Sequence, residues 1–115
     1  MSIFKPYGRL VSGQTVLTPG TLTLALITPG SDEFVDLYSV VISTNDTAIQ
    51  TVTVSDGTNT LGTYFIGGGA PASSIVDIAT VPVRGRRGGV ITVTAGAITA
   101  AKSIAVKVTG LQSKT

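Results

Sequence analysis

Apolar residues alternate with threonine and serine through nearly the whole chain. In "TLTLALI" Leu22, Leu24 and Leu26 share one face. Tyr38, Val40 and Ile42 do so in "LYSVVIST", and Val52 and Val54 in "IQTVTVS". A short run covers Thr63–Ile66. Val76 and Ile78 then oppose Asp77 and Ala79, and Ile91 and Val93 oppose Thr92 and Thr94. Finally Ile104, Val106 and Val108 oppose Ala105 and Lys107. Successive side chains of a strand point to opposite faces, so a period of two is the mark of extended chain. One apolar face and one hydroxyl face mean antiparallel sheets packed on one side only. The excess of β-branched residues fits a pleated, half-buried surface. No segment carries a helical period.

The breaks between these runs are turn chemistry. "TNDT" (44–47), "SDGTN" (55–59) and "TAGAIT" (94–99) each join two strands. Asp56-Gly57 is a hairpin signal because glycine accepts a positive φ. "TPG" at 18–20 and again at 28–30 brackets the Leu22–Leu26 run. The expected fold is all-β: a single antiparallel β-sandwich of about 7–8 strands, jelly-roll or Ig-like. Periodicity does not choose between those topologies. Residues 1–19 lack sustained alternation and are expected to form an extended N-terminal arm, with the sandwich over 20–115. "GGGAPASS" (67–74) and "VPVRGRRGG" (81–89) read as long connections. Tyr38, Tyr64 and Phe65 fall inside strands and are expected in the core.

At 115 residues the chain has the length of one domain. Only 12% of residues are charged, against about 25% in an average soluble protein. A surface so poor in charge favours association. No run of about 18 apolar residues exists to make a membrane helix. Cysteine is absent, which removes disulfides and thiolate chemistry. Lys5 and Arg9 are not followed by a continuous apolar stretch, so no secretory signal is expected. The protein is expected in a cytoplasm or in a particle assembled there.

Histidine is also absent, and with it the usual general base and the usual zinc ligand. Six carboxylates remain: Asp32, Glu33, Asp36, Asp46, Asp56 and Asp77. Their spacing points to no catalytic pair, and Asp46 and Asp56 sit where turns favour aspartate. "SDEFVD" (31–36) reads either as an ion site or acidic docking patch, or as a solvated loop. "GGGAP" lacks the Lys-Ser/Thr of a phosphate loop. No enzyme, cofactor or metal is expected.

"RGRRGG" stands out against this background. Arg84, Arg86 and Arg87 lie among Gly85, Gly88 and Gly89, in a chain of net charge only +2. Three readings apply. The loop is a solvated hairpin tip, a fork for carboxylates on another protein, or a nucleic-acid contact. The last needs stacking aromatics, and none of Phe4, Tyr7, Phe34, Tyr38, Tyr64 or Phe65 lies beside the loop in sequence.

The run "LYSVVISTNDTAIQTVTVSDGTNTLGTYFIGGGAP" (37–71), with an arm before it and the arginine loop after it, resembles small virion proteins of tailed bacteriophages. It is most similar in style to capsid decoration, or cement, proteins. No diagnostic motif carries the likeness. The resemblance implies a structural protein on the capsid exterior that binds the major capsid protein and clamps neighbouring coat subunits. It also implies a homo-oligomer, dimer or trimer, at a lattice symmetry axis, with no catalytic residues, membrane or nucleic acid. On that reading the contacts come from the arm, through Phe4, Lys5, Tyr7 and Arg9, and from Arg84, Arg86 and Arg87. The alternative is a head-fibre, tail or host-adhesion β-module.

Overall fold

The computed structural model describes residues 8–68 and 73–114. Eight strands are present: β1 (Arg9–Leu17), β2 (Thr23–Ile27), β3 (Phe34–Thr44), β4 (Gln50–Ser55), β5 (Thr60–Ile66), β6 (Ser73–Arg84), β7 (Ile91–Ala95) and β8 (Ile104–Ser113). They form two four-stranded antiparallel sheets, in the orders β1-β8-β3-β6 and β2-β7-β4-β5.

The order has a simple origin. β4 pairs with β5, β3 with β6, β2 with β7 and β1 with β8. The chain is thus one long hairpin of nested pairs, folded back at residues 56–59. Rolling that ribbon up brings β3 against β8 and β4 against β7. This is the jelly roll, so topology resolves the choice that periodicity leaves open.

The expected inward faces of the later strands are observed. Ile91 and Val93 of β7, and Ile104, Val106 and Val108 of β8, are buried against Ile42, Val52 and Val54. Four expectations change, the first being that β6 takes up residues 73–74 and 81–84, which were expected in the two long connections.

Residues 9–17 belong to the sheet rather than to an arm. β1 is an edge strand bonded to β8 from Arg9–Gln112 to Leu17–Ile104. Its inward positions, Val11, Gly13, Thr15 and Leu17, include a glycine and a threonine, which hides the apolar alternation. Gly13 is required there, because a Cβ would overlap the Leu26 carbonyl oxygen where β1 crosses β2. Residues 1–7 of the expected arm, with Phe4, Lys5 and Tyr7, lie outside the described residues.

Tyr38 does not join Val40 and Ile42 in the core. The register of β3 shifts between Leu37 and Ser39. This bulge inserts one residue and resets the alternation. Val35 and Leu37 point inward, then Val40 and Ile42, while Tyr38 is 37% exposed. Phe65 is likewise outside the core, at 68% exposure, whereas Tyr64 packs partly against it.

Face selection along β3 is directly measurable. Ile42 is buried and its neighbour Val41 is 37% exposed. Ile42→Ala is expected to cost about 2–5 kcal/mol of unfolding free energy in urea titrations. Val41→Ala is expected to cost less than about 1 kcal/mol. Equal costs would contradict the register.

Candidate functional site

The arginine segment closes one end of the sandwich, where the β2–β3, β4–β5 and β6–β7 connections meet the start of β1 and the end of β8. Arg84 ends β6 and is the register partner of Asp36 on β3. Its Nε and Nη2 donate to Asp36 Oδ1 and Oδ2 at 2.6 and 2.9 Å. This is the forked pairing in which a guanidinium binds a carboxylate best. Hydrogen bonding to Asp36 holds the Arg84 guanidinium above its ordinary pKa, against the opposing effect of burial.

The glycines after Arg84 serve close packing. Gly85 N–H donates to the Val35 carbonyl at 2.9 Å, and Gly88 N–H to the Glu33 carbonyl at 2.7 Å. Gly88 has φ +69°, which glycine adopts without strain. A Cβ on Gly89 would lie 2.8 Å from the Asp56 carbonyl oxygen. The loop is therefore pinned to its neighbours, in contrast to the loose connection expected from its composition.

Asp56 is the pin on the other side. It is fully buried in the β4–β5 turn. Its side chain accepts the amides of Thr58 (2.9 Å), Asn59 (2.6 Å) and Arg86 (2.8 Å). Burial works against its ionisation, but the Asn59, Thr58 and Arg86 amides outweigh it and hold the pKa at about 2. The Arg86 Nε stands 4.0 Å from Asp56 Oδ1.

An aromatic ring does reach the arginines. Phe34, at the start of β3, has the Arg84 guanidinium carbon 4.6 Å from its centroid and that of Arg87 at 5.0 Å. Strand pairing across β3 and β6 creates this contact, which sequence distance conceals. It is an in-chain cation–π stack.

The acidic segment 31–36 is the counterpart of the basic one. Asp36 takes Arg84. Glu33 Oε1 accepts from Gln112 Nε2 at 2.8 Å and from the Gly30 amide at 3.1 Å. Asp32 lies 3.5 Å from the Lys114 ammonium, both exposed. The three carboxylates thus engage different partners. No cluster able to hold a metal exists among the described residues. The negative group nearest the arginines is supplied by the chain itself. Arg86 and Arg87 remain exposed to solvent. Arg9, opposite Gln112, opens β1 at this same end.

The opposite end has its own buried carboxylate. Asp46, in the β3–β4 connection, accepts from Thr99 N (2.8 Å), Thr99 Oγ1 (2.7 Å), Ala48 N (2.9 Å) and Gln50 Nε2 (3.1 Å). The Thr99 amide is the main cause of a pKa of about 2, with burial opposing it and the other donors assisting.

No protein-family model matches the sequence, and no curated protein does. Several solved structures are similar to it. Similarity spans 96% of this chain and 90% of a chain from the Cyanophage Pam1 capsid asymmetric unit, at 15% identity and a TM-score of 0.53. A chain of the acid-stable capsid of Helicobacter pylori bacteriophage KHP30 matches over 91% of this chain and 87% of its own, at 14% identity and TM-score 0.49. A chain of Bacillus endospore appendages matches over 92% and 85%, at 13% identity and TM-score 0.47.

The two buried aspartates set the acid response. Both pKa values are lowered from 3.8 to about 2 on folding. Their stabilisation is complete above the unfolded value and is lost as pH falls from about 4 through about 2. Thermal melts are expected to be level from pH 7 to 5 and to drop steeply between pH 4 and 2. Asp46→Asn is expected to lower Tm by several degrees at pH 7, because an amide nitrogen then faces donors. It also flattens the acid limb. An unchanged limb would contradict the assignment.

Proposed function

We propose that this chain is a structural virion protein that binds the outer surface of a phage capsid and holds neighbouring coat subunits together. The observation that carries the reading is fold similarity over 96% of the chain to a chain of a phage capsid asymmetric unit. Other features support it. The fork of Arg84 on Asp36 and the amides donated to Asp56 fix the arginine end in place, and an interlocked β-sandwich is a rigid platform for surface contacts. A chain present in many copies per particle needs no single strong contact, because linked contacts multiply.

The arginine end is the contact surface in this proposal. Arg86 and Arg87 project from a pinned loop, so little conformational entropy is lost when they meet carboxylates on the coat. Arg84 acts as a positioning residue, since its fork on Asp36 fixes the end of β6. Arg9 opens β1 at this same end.

Co-sedimentation with purified phage capsids lacking the protein tests the reading. The wild-type chain is expected to pellet in a fixed ratio to coat protein. Arg86→Ala/Arg87→Ala is expected to lose most of that binding at moderate salt while keeping its Tm. Arg84→Ala is expected to lose about 1 kcal/mol of stability from the broken fork. Failure of the wild-type chain to pellet would overturn the capsid role. Pelleting with host cells instead would favour an adhesion module. Unchanged binding by the double variant would remove the arginines from the contact.

A further inference from the structure

Charge is divided unevenly between the two sheets. No residue of β2, β4, β5 or β7 is charged. Hydroxyls line the outer face of that sheet, where register sets Thr23, Thr94, Thr53 and Thr63 in one row. The strands of the β1-β8-β3-β6 sheet carry Arg9, Asp36, Asp77, Arg84 and Lys107. Arg9, Asp36 and Arg84 stand at the arginine end, but Lys107 does not.

Lys107 lies near the middle of β8, a central strand, and is exposed on the outer face of its sheet. Register places Gln14 of β1 on one side of it and Val41 of β3 on the other. Ala105 precedes it on the same face, level with Val16 and Ser43. Val16 is 54% exposed and Val41 37%. Together these side chains line a shallow hollow of about 400 Å³. Among the described residues no carboxylate pairs with Lys107. Asp32 takes Lys114, Asp36 takes Arg84, and Glu33 takes Gln112. Asp46 and Asp56 are buried in connections at the two ends.

A lone lysine helps to keep sheets of separate copies apart, but that role calls for no exposed apolar side chains around it. Two copies of this face set together bring like charges to the centre, which opposes self-pairing. A partner of opposite charge fits it. We propose that this face is a second contact with the coat, and that its occupant is a coat segment with one carboxylate flanked by apolar side chains. The inference rests on the capsid reading above. The carboxylate meets the Lys107 ammonium, and its apolar flanks cover Val16 and Val41. An ammonium covered without a partner is costly, whereas an opposed carboxylate supplies a charge-assisted hydrogen bond. Holding neighbouring subunits together also needs two contact surfaces that face different ways. The arginines sit at an end of the sandwich and Lys107 on the flat of a sheet, which meets that need.

Titration of the chain onto purified capsids lacking it, read by co-sedimentation, is the test. Lys107→Glu is expected to weaken binding at least about tenfold by setting like charges together. Lys107→Met keeps the stem without the charge and is expected to weaken binding by less. Val41→Thr, which keeps the branched shape but adds a hydroxyl, is expected to weaken it too. Lys102→Glu makes the same change of net charge in the β7–β8 connection, outside the face, and is expected to bind as the wild type does. Lys107 is exposed, so its variants are expected to keep the wild-type Tm. If the wild type pellets and Lys107→Glu binds equally well, or Lys102→Glu weakens binding as much, the proposal is overturned and the capsid reading stands. Lys107→Met binding as tightly as the wild type also overturns it, because the occupant then offers no carboxylate. A wild-type chain that does not pellet overturns both.

Discussion

The two sheets of this sandwich are separate hydrogen-bonded ladders, so what joins them is side-chain packing and the connections between strands. All the connections except β4–β5 pass from one sheet to the other. Each passage leaves backbone amides that neither ladder satisfies. Asp46 and Asp56 meet that need, one at each end. Asp46 ties the β3–β4 connection to Thr99 between β7 and β8. Asp56 ties the β4–β5 turn to Arg86 between β6 and β7. A buried carboxylate is costly unless its lone pairs are filled, and here several donors converge on each. These two groups hold the rolled hairpin closed at its ends, where the apolar core thins out.

Low charge content makes every charge matter. Among the described residues, the basic segment at 84–87 and the acidic segment at 31–36 meet at one end and partly neutralise each other. Arg84 is consumed by Asp36, and its stack on Phe34 shapes the surface on which Arg87 rests. Within the 84–87 segment, Arg86 and Arg87 are the exposed guanidinium groups not forked by a carboxylate, and they are fixed in place by the amide bonds of Gly85, Gly88 and Arg86 itself. A loop rich in glycine is held rigid because its glycines permit close approach.

Much of the fold was legible in the sequence, for a local reason. In β4, in β7 and in β8 as far as Val108 the alternation is unbroken, and the inward residues follow from period alone. β1 was illegible because two of its inward positions, Gly13 and Thr15, are not apolar, and Gly13 answers to a neighbour, Leu26, rather than to its own strand. Tyr38 was misassigned because the bulge beside it changes phase without changing composition. The site was harder to read. Aspartate in turns was expected, but the distant partners, Thr99 for Asp46 and Arg86 for Asp56, lie 53 and 30 residues away. Sequence distance likewise hides Phe34 as an arginine partner. The one available signal was the matched pair of short charged segments in a chain otherwise almost neutral.

A shared jelly roll specifies no function, since one architecture serves many roles. What distinguishes this chain is the partition of its surface. One end bears fixed guanidinium groups, and one sheet bears ordered hydroxyls without charge. These surfaces obey different physics. Ionic contacts at the arginine end weaken with salt, because exposed charges are screened within about 8–10 Å at ordinary ionic strength. A neutral face is indifferent to that screening, and salts excluded from protein surfaces strengthen its burial. The two kinds of surface therefore respond oppositely to salt.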